Sequence, residues 1–389
     1  MNKILSYKWI VPITILGLVL MFNSCSREVE FIEGSRQPVL PETVYKYDSL
    51  PTVIDFDPFG GVTIDNHKAT LGRVLFYETQ LSINNRKSCG SCHKQHKAFS
   101  DDEAMSIGFH NGSTGRNSPA IVNAGAQVGF FWDLRESALS EMVLKPIAHP
   151  VEMGLESQEL MVQKLQRLPY YAALFTNAFG DEEITVERIS DALDQFIRSV
   201  VSINSPFDFG RLNNFSNYTE QEELGRQLFF HKFPCSGCHG GSELNGLANA
   251  ENVGLDMDYA DNGVPGFVGI NNEPRDGWFK VPTLRNSEVS GPYMHDGRFN
   301  TLEEVVEFYN SGIQPHSQLS AMLRTHEDGG FFILTEEIAG PDDVSPFGRQ
   351  PLRMHMTAVE KQALVAFMKT LTDQSFLVDE RFSDPFVIR

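Results

Sequence analysis

Cys89-Gly-Ser-Cys92-His93 and Cys235-Ser-Gly-Cys238-His239 are two copies of the same short pattern, C-x-x-C-H. The pattern is that of c-type haem attachment. Two thiols add to the vinyl groups of the haem, and the adjacent histidine reaches the iron as proximal axial ligand. A zinc site would need the two pairs to converge on one metal. A thioredoxin-like dithiol would need a βαβ pattern around it, and none is present. The chain has five cysteines. Four belong to these motifs, and the fifth, Cys25, stands at the end of an N-terminal apolar run. Two haem c groups are therefore expected, bound through Cys89, Cys92 and His93 and through Cys235, Cys238 and His239.

Outward from the motifs, the sequence repeats. Leu71-Gly72-Arg73-Val74-Leu75-Phe76 precedes the first site, and Leu224-Gly225-Arg226-Gln227-Leu228-Phe229 precedes the second. Each reads as the end of a helix beside a haem, and the pair implies duplication of one domain. Val186, Ile189, Leu193, Phe196, Ile197 and Val200 recur at helical steps. Leu302, Val305, Val306 and Tyr309 do so after Thr301, an N-cap with Glu304 three residues on. A last helix is expected from Met356-Thr357 through Leu371. Gly- and Asn-rich stretches, Gly108 to Gly115 and Ala260 to Asn272, read as loops around the haems. Few strands are expected, so the fold class is all-α.

The N-terminus reads as a targeting segment. Lys3 and Lys8 precede an apolar run from Trp9 to Phe22, too short for a comfortable membrane span. Phe22-Asn23-Ser24-Cys25 then resembles a bacterial lipoprotein cleavage site, with an ordinary signal peptide or an uncleaved anchor as the alternatives. Residues 1–25 are assigned to this signal, 26–50 to a polar tether, 51–212 to the first haem domain and 213–389 to the second. Export to the periplasm or cell envelope, with a lipid anchor, follows. The 389 residues carry a formal charge of −19, which disfavours nucleic-acid binding and suits encounter with a basic partner or simply solubility.

Taken together, the chain resembles the bacterial di-haem cytochrome c peroxidase family, including its branch that matures a tryptophan-derived cofactor, methylamine utilisation protein G. The resemblance runs from about Leu71 to Thr372. It rests on the two Leu-Gly-x-x-Leu-Phe runs, Gly115-Arg116-Asn117-Ser118-Pro119, Phe131-Trp132-Asp133, Pro146-Ile147 and Val151-Glu152-Met153-Gly154. It continues in Pro282-Thr283-Leu284-Arg285-Asn286 and Pro292-Tyr293-Met294-His295-Asp296-Gly297.

The resemblance implies two tandem class I cytochrome c domains with a calcium ion between them. It implies two-electron reduction of hydrogen peroxide to water, with the N-terminal haem peroxidatic and the C-terminal haem passing electrons inward. Glu152 matches the carboxylate that moves the peroxide proton, and Trp132 matches the aromatic bridge between the haems. Asn117 matches a calcium side-chain ligand, with Ser290 and Pro292 at the positions that give backbone carbonyls. The donor would be a small cytochrome c or cupredoxin, and a homodimer is an analogy only.

Three positions depart from the family pattern. Ile107-Gly108 is followed by Phe109 and then His110, so either His110 is a detachable distal ligand after a one-residue shift or the first haem is open. The variability of such loops favours the open haem. Met142 stands where a distal Gln is expected, and Met donates no hydrogen bond. The second haem usually has a Met ligand where Tyr309 stands, whereas the cofactor-maturing branch has a Tyr ligand there; Met322, Met354 and Met356 are the alternatives. Oxidation of a partner protein's side chain, or electron carriage alone, are the competing functions.

Overall fold

Asp65 accepts from the backbone N–H groups of His67 and Lys68 and opens the helix Asn66–Tyr77. Thr185 caps Val186–Ser199 in the same manner. Their counterparts in the second half, Glu220–Gln227 and Ala358–Lys369, begin with reciprocal capping boxes, Thr219 with Glu222 and Thr357 with Glu360. Such caps satisfy the N–H groups that a helix start leaves without partners. In this computed structural model residues 36–50, 56–245, 250–264, 276–326 and 347–387 are described. Cys25 and the export signal lie outside them, as does the later part of the expected Ala260–Asn272 loop.

The repeated glycine explains the repeat. A β-carbon placed on Gly72 would lie 1.9 Å from the carbonyl oxygen of Ala192 and 2.7 Å from the Phe196 β-carbon. One placed on Gly225 would lie 1.9 Å from the carbonyl oxygen of Ala363 and 2.8 Å from the Phe367 β-carbon. Each glycine thus lets two helices cross at backbone contact, which any side chain would prevent. The duplication also extends to the later helices, where Ala192/Phe196 and Ala363/Phe367 share a four-residue step.

Two hydrophobic cores grow from these crossings. The first gathers Leu71, Leu75, Phe76, Leu193 and Phe196, and the second Leu228, Phe229, Leu364 and Phe367. Chain order does not sort them. Phe207 already packs in the second core, while Phe376, Phe382 and Phe386 return to the first. Residues from Arg36 onward accordingly cluster as one compact unit.

Two expectations need correction. Helix is not the whole architecture: among the described residues Gln37–Pro38 pairs with Phe386–Val387, Ala250–Glu251 with Phe279–Lys280, and Arg324–His326 with Phe347–Pro351, each antiparallel. Irregular stretches between the elements take up the Gly- and Asn-rich sequence that disfavours a helix. The polar tether also ends earlier than expected. Arg36 pairs with Asp384 at 2.5 Å, and Tyr47 is buried in the first core. The aromatic residues of 36–50 supply the apolar area that the segment's polar average conceals. The described residues contain no helix long and apolar enough to cross a membrane.

Candidate functional site: two cavities that share a tryptophan

Each attachment motif forms a wall of a cavity. The first cavity, about 550 Å³, is lined by Cys89, Cys92 and His93, with Phe76 at the end of the repeat helix. The second, about 210 Å³, is lined by Cys235, Cys238 and His239, with Phe229 in the equivalent place. The four cysteines form no disulfide.

Both candidate ligand histidines are oriented by backbone hydrogen bonds. His93 Nδ1 donates to the carbonyl oxygen of Phe99 at 2.7 Å, and His239 Nδ1 donates to that of Leu244 at 3.2 Å. Such a bond fixes the tautomer and ring orientation, and each ring has a further backbone partner, Pro119 for His93 and Pro282 for His239. Burial lowers both pKa values, that of His239 to about 4, so the neutral, ligating form is favoured. Paired thiols and a neutral histidine on the wall of a largely apolar cavity fit a covalently bound haem in each half.

Glu152, Met142, Pro146, His149 and Arg135 also line the first cavity. The backbone around Glu152 is held firmly. Glu152 O accepts from Phe109 N at 3.0 Å, and Gly108 comes so close to Val151 O that a β-carbon there would be 1.6 Å away. Burial raises the Glu152 carboxyl pKa, opposed by His149 and Arg135. His149 Nδ1 is 3.4 Å from Glu152 Oε1. Sequence reasoning missed His149 and Arg135, because a lone exposed histidine or arginine carries no signal without a fold around it. His110 is exposed and is not among the residues lining the cavity.

Tyr309 lines the second cavity from the π-helical turn Phe308–Gly312, together with Met354 and Met356. Met322 does not line it. Burial raises the Tyr309 pKa, an effect reinforced by Cys238 and Cys235. Asn117, Ser290 and Pro292 also line this cavity. The amide nitrogen of Asn117 donates to the carbonyl oxygens of Glu103 and Ala104 at 3.2 and 3.1 Å, which leaves its side-chain oxygen as the acceptor. Among the described residues no cluster of three or more His, Cys, Asp or Glu side chains forms a separate metal site.

The cavities share Asn117, Pro119, Ala120, Trp132 and Lys280. Trp132 is buried, and its indole N–H donates to Asn117 O at 2.9 Å. Its carbonyl accepts from Lys280 N at 2.7 Å. Lys280 Nζ donates to Gln127 Oε1 at 2.7 Å, and burial lowers its pKa to about 8. Lys280 is a third residue that the sequence did not single out.

Two cavities, each walled by an attachment motif and both lined by one buried indole, fit a two-centre haem redox protein. The comparisons narrow this class. The profile of the di-haem cytochrome c peroxidase family matches residues 66–214. Cytochrome c551 peroxidase of Nitrosomonas europaea is 35% identical over 253 residues, covering 64% of this chain and 75% of that protein. Methylamine utilization protein MauG of Methylorubrum extorquens is 33% identical over 265 residues, covering 67% and 73%. A crystal structure of a MauG-like protein associated with microbial copper homeostasis superposes with a TM-score of 0.68 at 30% identity, covering 92% of this chain and 98% of that one. The chain belongs to the di-haem cytochrome c peroxidase family and shares its fold. It is an oxidoreductase, a cytochrome c peroxidase.

Proposed function

We propose that the first cavity is the peroxide site, that the second receives electrons from a small cytochrome c or cupredoxin, and that Trp132 carries them between the two. The observation that carries this reading is that Glu152 and the motif Cys89-Gly-Ser-Cys92-His93 line one cavity, with His110 outside it. Bound haem supplies the iron that accepts peroxide and stores its oxidising power. Glu152 takes the proton from one peroxide oxygen and returns it to the other, a role worth roughly 10²–10⁴-fold. Its raised pKa brings the carboxyl nearer to neutrality, where it can do both. His149, beside it and exposed, links the carboxyl to solvent. Met142 gives no hydrogen bond, so Glu152 carries the orientation of the substrate as well.

In the second cavity Tyr309 is the proposed sixth ligand, with Met354 or Met356 as the alternative. Asn117 Oδ1 with the carbonyls of Ser290 and Pro292 is proposed to hold calcium, which prefers oxygen donors. Export through residues 1–25, with lipid attachment at Cys25, would place the enzyme in the periplasm or cell envelope. Stopped-flow mixing of the haem-loaded diferric protein with hydrogen peroxide, followed by reduced cytochrome c, tests the reading. Rapid Soret change and then donor oxidation is the expected result. Reaction only after one haem is pre-reduced would return His110 to the iron. A stable oxidised species that ignores the donor would favour oxidation of a partner protein.

A further inference from the structure

Tyr77 ends the helix Asn66–Tyr77 and lies against the first attachment motif, where a β-carbon added at Gly90 would be 2.5 Å from its ring. Its hydroxyl donates to Phe382 O at 2.7 Å. The preceding carbonyl, Arg381 O, accepts from the Tyr47 hydroxyl at 3.1 Å. One residue further back, Glu380 Oε2 accepts from the Tyr45 hydroxyl at 3.5 Å. Three phenols therefore step along three consecutive residues of one turn. Aromatic rings fill the interval without a break. Centroids are 5.1 Å apart from Tyr77 to Phe76, 5.4 Å from Phe76 to Phe196, 6.4 Å from Phe196 to Tyr47 and 6.2 Å from Tyr47 to Tyr45. Tyr77 and Tyr47 are buried, while Tyr45 is partly exposed and Glu380 is exposed.

We propose that this file of tyrosines is an exit for oxidising equivalents, ending at Tyr45 as a surface site where small one-electron reductants such as phenols are oxidised. The inference rests on the peroxidase reading, since the oxidant is the first haem centre after it has reacted with peroxide. The partners differ along the file in the way such a route requires. Tyr77 and Tyr47 donate to carbonyl oxygens, which are not bases, and burial raises both pKa values, that of Tyr47 to about 12. With no base to take the phenolic proton, and with Arg73 hydrogen-bonded to Tyr47 as well, a lasting radical on either inner phenol is disfavoured, and the oxidising equivalent passes on to Tyr45. Tyr45 faces a carboxylate. The Arg73 guanidinium, 5.4 Å from the Tyr45 ring centroid, opposes a cationic ring, so electron loss there must be accompanied by proton loss. Tyr45 gives one electron inward to the oxidised centre and its phenolic proton to Glu380, leaving a neutral phenoxyl. An external phenol then returns an electron and a proton. One peroxide, a two-electron oxidant, supports two such events.

The test uses the haem-loaded full chain, hydrogen peroxide and a nitroso spin trap without electron donor, followed by peptide mass spectrometry. A parallel sample receives reduced cytochrome c. The trap is expected on Tyr45. The label should be lost in Tyr45→Phe and fall sharply in Tyr47→Phe and Glu380→Gln, while all three variants oxidise cytochrome c at the wild-type rate. Donor oxidation with no label on Tyr45, or equal label in Tyr47→Phe and Glu380→Gln, would overturn the exit alone. No reaction with peroxide in either sample would overturn the peroxidase reading and the exit with it.

Discussion

The indole of Trp132 donates to the backbone carbonyl of Asn117 at 2.9 Å, and both residues line both cavities. This bond ties the candidate bridge to the candidate calcium ligand. The neighbouring loop is anchored separately. Asp133 pairs with Arg116 at 2.7 Å, and Arg116 makes a two-pronged contact with Asp261 at 2.6 and 2.7 Å. A bidentate arginine–carboxylate pair adds geometric definition as well as energy. The indole plane is thus set from its ring nitrogen, its carbonyl and the side chain that follows it.

Trp132→Phe removes the donated bond and the most easily oxidised ring between the cavities. The variant should retain both haems and react with peroxide at the first centre, yet slow donor-driven turnover at least about tenfold, which needs only about 1.4 kcal/mol of added barrier. Stopped-flow traces that separate Soret change from donor oxidation decide it. Wild-type donor oxidation would remove Trp132 from the electron path. The same variant loosens Asn117, so chelation with EGTA should affect the variant and the wild type differently if calcium joins them.

Glu152→Gln keeps the shape of the first cavity and discards proton exchange. Peroxide turnover should fall at least about tenfold, the lower part of the range for general acid–base catalysis. Burial raises the folded-state pKa of the carboxyl, so the ionised base is lost as pH falls through that raised value. The acidic limb of the kcat/KM profile should therefore be present in the wild type and absent in the variant. A profile unchanged by the substitution would assign the limb to another group.

The haem motifs, the repeat and three of the helical stripes were legible in the sequence because each is a local pattern. The Val186–Ser199 stripe and the Thr301 capping box emerged as expected. What the sequence hid is long-range. Nothing local to Phe376, Phe382 or Phe386 says that the chain end closes over the first core. Nothing in Lys280 announces a place between two cavities almost 150 residues from Trp132 in sequence. Tyr45 and Tyr47 sit in a polar stretch, so average composition predicted a tether where two aromatic anchors produce a packed strap. His149 and Glu152 come together over three residues, yet the contact depends on the irregular turn that follows Lys145–Ala148.

Gly225→Ala tests the crossing that builds the second half. The added methyl would lie 1.9 Å from Ala363 O, so the backbones must separate. Overpacking of this kind typically costs 1–3 kcal/mol. The midpoint of thermal unfolding should fall by several degrees, and Gly72→Ala should act similarly through Ala192. A neutral Gly225→Ala would mean that the helices can slide apart without loss of packing.

Tyr309→Phe addresses the sixth ligand of the second haem. Phenolate is a hard donor and is expected to lower the potential relative to a thioether; axial-ligand identity is one of the protein's main controls on haem potential. If Tyr309 ligates, the variant should lose phenolate bands in resonance Raman spectra and its second haem potential should rise. An unchanged spectrum would point to Met354 or Met356, which line the same cavity. Met354→Ala and Met356→Ala would then separate the two.

Glu243 offers a pH test of stability that is independent of turnover. Arg285, almost fully buried, holds Asp208 through two nitrogens at 3.0 and 2.9 Å and reaches Glu243 at 3.1 Å. One guanidinium charge cannot neutralise two carboxylates equally. Asp208 has the bidentate share, and burial raises Glu243 from 4.5 to about 7. A carboxyl raised on folding binds its proton more tightly in the native state. Its stabilising contribution is complete below about pH 4.5 and is lost as pH rises through about 7. The wild type should therefore lose thermal stability across that window, and Glu243→Gln, which stays neutral, should flatten the curve. Glu243 O also accepts from the Thr283 hydroxyl, and the next residue, Leu244, supplies the carbonyl that orients His239. The second haem's potential should follow pH over the same window in the wild type and less steeply in the variant. A wild-type midpoint that is level between pH 4.5 and 7 would show instead that Arg285 keeps Glu243 ionised throughout.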